Sequence, residues 1–118
     1  MVADDYDDTR ELVVLTLSDA GFRTVHVSDG REAVASARLL HPDVILLDLR
    51  MPHLSGHQAI ALLQRDPETR GIPIVVISGA DADELARAVA MGASASHSKP
   101  CIGATMIELV RAAIDRQE

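Results

Sequence analysis

Four branched apolar residues, Val44-Ile45-Leu46-Leu47, run without a polar break into Asp48. A run this short, with no alternation, reads as a strand buried on both faces. Such strands belong to parallel sheets covered by helices on either side. Pro52 cannot continue a hydrogen-bonded ladder, and it biases Met51 away from the helical region, so the chain turns just after Asp48. In open α/β sheets, ligands and chemistry collect at the carboxyl ends of the strands. Asp48 is then either a carboxylate held at a functional edge by a stiff apolar rod, or an aspartate that opens a loop or caps a turn.

The rest of the chain alternates strand-like and helix-like stretches. Val2-Ala3 leads into Asp4-Asp5, and Asp7 or Asp8 can cap a helix in which Leu12, Val13, Leu15 and Leu17 recur at helical spacing up to Gly21. Phe22 to Val27 is rich in β-branched residues and reads as a strand. Ser28 or Asp29 caps a helix running to about Leu40, which His41-Pro42-Asp43 breaks. Ser55-Gly56 opens a helix that ends before Pro67. Ile74 to Ser78 is a second continuous apolar strand, and Asp81 or Asp83 starts a helix ending at Gly92. A weak strand near Ala95-Ser96-His97 precedes Lys99-Pro100 and a last helix from about Ala104 to Arg116. Five strand–helix units in strict alternation predict an α/β, three-layer fold, with a parallel sheet between helices. Right-handed crossovers make the flavodoxin-like strand order 2-1-3-4-5 the natural choice. The first strand is the weakest element, since only three residues precede the acids. A chain of 118 residues suits one domain, residues 1–118, with one real core.

Composition narrows the function classes. Tyr6 and Phe22 are the only aromatics, so the core must be aliphatic. The net charge of −7 argues against a direct nucleic-acid surface and favours cationic partners or a metal ion. The single cysteine, Cys101, excludes an internal disulfide and fits a reducing compartment. No apolar run is long enough to span a membrane, and the acidic start does not resemble a signal peptide, so a cytoplasmic location is expected.

The chemistry stands at the strand ends: Asp4-Asp5 after the first, Asp48 after the third, Ser78 closing the fourth, Lys99 after the fifth. In the expected topology these four strands are neighbours, and their ends converge on one edge. Three carboxylates brought together repel one another, and a hard divalent cation such as Mg2+, bound through oxygen, relieves the repulsion. Lys99 is the only lysine in the chain. Its ammonium and a serine hydroxyl match the oxygens of a phosphoryl group. Together these are the groups needed for phosphoryl transfer to an aspartate. An aspartyl-phosphate hydrolase would need a second acid two residues beyond the nucleophile, where this chain has Arg50. His26, His41, His53, His57 and His97 are scattered. His53 and His57 have the spacing of a metal pair, but Ser55-Gly56 interrupts any helix between them, so all five read as surface or packing residues. Cys101 reads as a small buried hydrophobe.

Asp4-Asp5, Asp48-Leu49-Arg50-Met51-Pro52, Ser78-Gly79-Ala80, and Gly92-Ala93 followed by Lys99-Pro100 together resemble, over the whole chain, the receiver domain of bacterial two-component response regulators. The resemblance implies a CheY-like fold with Asp48 as phosphoacceptor. It implies Asp5, Asp48 and the Arg50 backbone carbonyl as direct Mg2+ ligands, with Asp4 acting through a bound water. It implies Ser78 and Lys99 as phosphoryl contacts, a cis Lys99-Pro100 bond, and a sensor histidine kinase or histidine phosphotransfer protein as partner. Such a domain is a signalling phosphoacceptor that promotes its own phosphotransfer and dephosphorylation, not an enzyme acting on an external substrate. Two positions depart from the family's pattern. Ser96 stands where an aromatic usually relays phosphorylation to the output surface, and Cys101 stands where an aromatic usually follows the Lys-Pro pair. The first departure favours a phosphate shuttle over a dimerising switch. The alternative is a receiver-like interaction module that works without phosphorylation.

Overall fold

The computed structural model describes residues 1–101 and 103–115, so the expected helix end at Arg116 lies outside the described residues. The elements alternate as expected: β1 (Val2–Ala3), α1 (Asp7–Asp19), β2 (His26–Val27), α2 (Gly30–Leu40), β3 (Ile45–Leu47), α3 (Gly56–Arg65), β4 (Ile74–Ser78), α4 (Ala82–Ala90), β5 (Ala95–Ser98) and α5 (Ala104–Asp115). The strands form one sheet in the order β2-β1-β3-β4-β5, and every pairing is parallel. No helix among the described residues is long and apolar enough to cross a membrane.

The unbroken apolar runs follow from burial on both faces. Ile45, Leu47, Ile74 and Val76 point to one side, where they pack with Ala33 and Ala37 of α2, Ile60 and Leu63 of α3, and Ala88 of α4. Leu46, Val75 and Ile77 point to the other, against Val13 and Leu17 of α1 and Met106 and Val110 of α5. Each large side chain removed from water in this way contributes about 1.5–3 kcal/mol. The helix starts carry the expected side-chain caps at three places. Asp29 accepts from the Glu32 amide and Asp81 from the Glu84 amide, while Ser55 and Gln58 form a reciprocal capping box.

Two expectations need correction. The strand expected over Phe22 to Val27 pairs only at His26–Val27, because its sole neighbour, β1, offers two residues. Phe22 instead packs beneath the sheet with the α1–α5 cluster, and the Arg111 guanidinium lies 5.9 Å from its ring centroid. In α1, neither Asp7 nor Asp8 is the cap. Tyr6 holds that position without a side-chain bond, and Asp7 lies inside the first turn, paired with Arg10 at 2.6 Å. Only Val13 and Leu17 of that helix are buried, whereas Leu12 and Leu15 are 46% and 62% exposed. The two pairs lie on different sides of the helix, and one apolar stripe is all that the sheet can cover.

Candidate functional site

Parallel pairing brings the carboxyl ends of β1 and β3 side by side. Ala3 pairs with Leu47, so the next residues, Asp4 and Asp48, emerge together at the sheet edge. The Asp48 amide donates to the Ala3 carbonyl at 2.9 Å, which fixes the backbone there. Both carboxylates are buried, at 5% and 6% exposure. Each is oriented in the same way. Asp4 Oδ1 accepts from the Tyr6 amide at 2.9 Å, and Asp48 Oδ1 accepts from the Arg50 amide at 3.1 Å. These two-residue side-chain turns hold one oxygen of each group to its own loop. The remaining Oδ2 atoms both face Lys99, whose Nζ donates to Asp4 at 2.9 Å and to Asp48 at 2.8 Å.

The close approach of α3 to this edge depends on Gly56. Its amide donates to the Leu49 carbonyl at 2.9 Å. A Cβ at position 56 would lie 2.5 Å from Leu49 Cα and 2.6 Å from the Asp48 carbonyl oxygen. On the other side, Ser78 pairs with Ser98 at the end of β5, and the Lys99 amide donates to the Ser78 carbonyl at 3.0 Å. Ser78 is fully buried, and its Oγ accepts from the Ala80 amide at 3.2 Å. The Lys99-Pro100 peptide is cis. Asp5 differs from its neighbour in being exposed, yet one ligand atom each from Asp4, Asp5 and Asp48 fits within a 4.8 Å span.

Burial alone would depress the Lys99 pKa. The hydrogen bonds and charges of Asp48 and Asp4 more than offset that effect and raise it above 10.5. Burial pushes the Cys101 thiol up, away from the reactive thiolate. Three carboxylates against one ammonium leave the cluster net negative, and all its anionic donors are oxygens. That donor set fits a hard divalent cation.

Asp4, Asp5, Asp48 and Lys99 thus come together as the sequence suggests, and Ser78 joins them on the same edge by strand register. Arg50 follows in the Asp48 turn, with its side chain exposed and 3.8 Å from Glu84. No sequence signal marks the bridging of both buried carboxylates by Lys99, and Arg10 donates to the Asp4 carbonyl at 3.0 Å. The spacing of Asp7 and Arg10 hinted at that arginine's anchoring. His57, read as a surface or packing residue, donates from Nε2 to the Glu84 carbonyl at 3.1 Å and so ties α3 to α4.

A doubly covered parallel sheet whose acidic carboxyl edge is bridged by a lysine defines a domain with oxygen donors for a hard cation and an ammonium for an anionic group at one edge. The chain matches the response regulator receiver domain over residues 1–111 and belongs to that family. It is 31% identical to the DNA-binding response regulator MtrA of Mycolicibacterium smegmatis over 100% of this chain and 51% of the relative. It is 29% identical to PilH of Pseudomonas aeruginosa over 97% of this chain and 95% of the relative. The chain spans about half the length of the first of these curated relatives. Among solved structures it resembles the chemotaxis protein CheY4 of Vibrio cholerae, with a TM-score of 0.86, 28% identity, and coverage of 95% of this chain and 94% of that one. A sensor-kinase receiver domain from Pseudomonas aeruginosa, with magnesium coordinated in its active-site cleft, has the same fold at a TM-score of 0.90 and 24% identity, covering 97% and 94% of the two chains. The chain is therefore a receiver domain of two-component signalling with the CheY-like fold. Domains of this family accept phosphoryl groups from histidine kinases.

Proposed function

We propose that Asp48 is the phosphoacceptor, and that residues 1–118 act as one cytoplasmic receiver unit taking its phosphoryl group from a sensor histidine kinase or a histidine phosphotransfer protein. The observation that carries this reading is the orientation of Asp48. Its Oδ1 is held by the Arg50 amide, while its Oδ2 faces the shared pocket of Lys99 and Asp4. A carboxylate oxygen of Asp48 attacks phosphorus, the bond from phosphorus to the donor imidazole nitrogen breaks, and that electron pair returns to the ring. Asp4, Asp5, Asp48 and the Arg50 carbonyl would hold Mg2+, with Asp4 acting through water. The bound ion supplies positive charge against the phosphoryl oxygens. Among the described residues, the Lys99 ammonium is the cation placed between the two buried carboxylates, so it is positioned to transfer its hydrogen bonds to the incoming phosphoryl oxygens. The Ser78 hydroxyl donates a further bond once it turns from the Ala80 amide. The same groups would promote hydrolysis of the acyl phosphate by water.

The test is incubation with acetyl phosphate or a phosphorylated kinase, followed by phosphate-affinity gel retardation. Retardation of the native protein that is absent in Asp48→Asn and in excess EDTA is the expected result. Equal modification in EDTA, or of Asp48→Asn, would overturn the assignment. Failure of both donors would leave the chain as an interaction module.

A further inference from the structure

A cavity of about 200 Å3 lies between α1 and the sheet, below Lys99 and beside Cys101. Its walls are mostly apolar: Val2, Leu46 and Ile77 from the strands, Leu12 and Val13 from α1 with Thr9 beside them, and Cys101 from the loop before α5. Its rim is polar, with Asp4, Asp48 and Lys99. Cys101 is buried but has only one heavy atom beyond Cβ, so position 101 fills little of this space. Leu12, 46% exposed, stands at the mouth on α1.

We infer that this cavity binds a small organic cation made of an apolar ring and a short amine arm, of the arylalkylamine class. Size sets the body of the ligand: an apolar cavity of about 150 Å3 already admits benzene. Charge sets its head. Two buried carboxylates on the rim share one ammonium, each through Oδ2, and a carboxylate oxygen can accept a second hydrogen bond. The rim therefore attracts a ligand ammonium and repels a ligand carboxylate, while the walls favour a ring over a chain of polar atoms. The unphosphorylated protein is the form that binds this ligand, so the inference does not require Asp48 to accept a phosphoryl group.

The probe is benzylamine, compared with methylamine, toluene and benzoate in metal-free buffer, read by amide and methyl chemical shifts. Benzylamine should shift Val13, Ile77 and Cys101 and bind about tenfold or more tightly than each of the other three, the ratio expected when both ring and ammonium contribute. Cys101→Phe fills the cavity from within, and Leu12→Trp covers its mouth from an exposed site that tolerates substitution. Either variant should abolish the shifts. If Cys101→Phe does not fold, Leu12→Trp decides the matter. Shifts that persist in the folded variants, methylamine or benzoate binding as tightly as benzylamine, or no benzylamine shift in the native protein would overturn the inference. Toluene binding as tightly as benzylamine would overturn the assignment of a cationic head.

Discussion

Replacing Lys99 by alanine should destabilise the metal-free protein far more than replacing Asp48 by asparagine. Lys99 Nζ lies 2.9 Å from Asp4 and 2.8 Å from Asp48. At an effective dielectric constant of about 20, each contact is an attraction of about 6 kcal/mol. Ligand atoms of the two carboxylates lie within 4.8 Å of one another. At that separation their mutual repulsion is about 3.5 kcal/mol on the same scale. Lys99→Ala removes both attractions and keeps the repulsion between two buried acids. Asp48→Asn removes one attraction, but also the repulsion and the cost of burying that carboxylate, which is several kcal/mol. These terms nearly cancel, leaving Asp48→Asn within about 1 kcal/mol of native, on the stabilising side.

The Lys99 side chain is 24% exposed, so water already screens part of its attraction and will hydrate the acids once it is gone. That reduces the expected loss to about 3 kcal/mol, the lower end for breaking a buried pair. In a domain of this size that is a fall in Tm of about 10 °C. Calorimetry at pH 7 in EDTA measures it directly. A loss under about 1 kcal/mol for Lys99→Ala, or an equal loss for Asp48→Asn, would show that the bridge does not hold the site together.

Gly56→Ala should cost at least 1–3 kcal/mol, roughly the price of overpacking, because its Cβ meets backbone atoms of Leu49 and Asp48 that have no rotamer to yield; urea unfolding reads the shift in midpoint. Asp5→Ala should leave the metal-free melting temperature unchanged, since Asp5 is exposed, yet weaken Mg2+ binding by about tenfold or more, as measured by titration calorimetry. The raised Lys99 pKa predicts a pH effect of definite sign. Its stabilising contribution is complete below the unfolded value near 10.5 and is lost as the pH climbs through the higher folded value. Stability should therefore fall in strong alkali with a component that Lys99→Ala lacks, read as the difference between the two proteins' base-denaturation curves.

The parts of the fold that were legible in the chain are those whose burial is symmetrical. β3 and β4 sit in the sheet interior with both faces covered, so nothing interrupts their apolar runs. β5 is an edge strand of Ala-Ser-His-Ser, partly or fully exposed along its length, and its pattern is correspondingly faint. The strand signal over Phe22 to Val27 extends past β2 because β-branching reports on a residue's own preference, while pairing depends on the length of the partner strand. The site was legible for a topological reason: parallel strands place all their carboxyl ends on one edge, so Asp4, Asp48, Ser78 and Lys99 could be assembled from strand ends alone. The bridge itself was not legible. It joins Lys99 to residues 95 and 51 positions away, and which oxygen of each acid faces the lysine depends on the loop amides that hold the other.

The route from Asp48 to the surface is where the chain's own residues matter most. Ser96 pairs with Val76 on β5 and is partly buried, and it has no ring to occupy one of two packing positions. Among the described residues, two polar contacts from the Asp48 turn and α3 reach Glu84 in the first turn of α4: the Arg50 ion pair at 3.8 Å, and the His57 hydrogen bond to the Glu84 carbonyl at 3.1 Å. An exposed pair of that length is worth at most about 1 kcal/mol, and a hydrogen bond of this kind contributes about 1 kcal/mol more. Moving a two-state element from almost entirely one form to almost entirely the other takes about 5.5 kcal/mol. Rearranging the Arg50 turn on phosphorylation can therefore bias the start of α4 by a factor of roughly 10 to 30, but cannot drive it from one state to the other by these contacts alone. On the proposal that Asp48 accepts the phosphoryl group, coupling through these two contacts alone fits a phosphoryl shuttle better than a switch that must expose a new face.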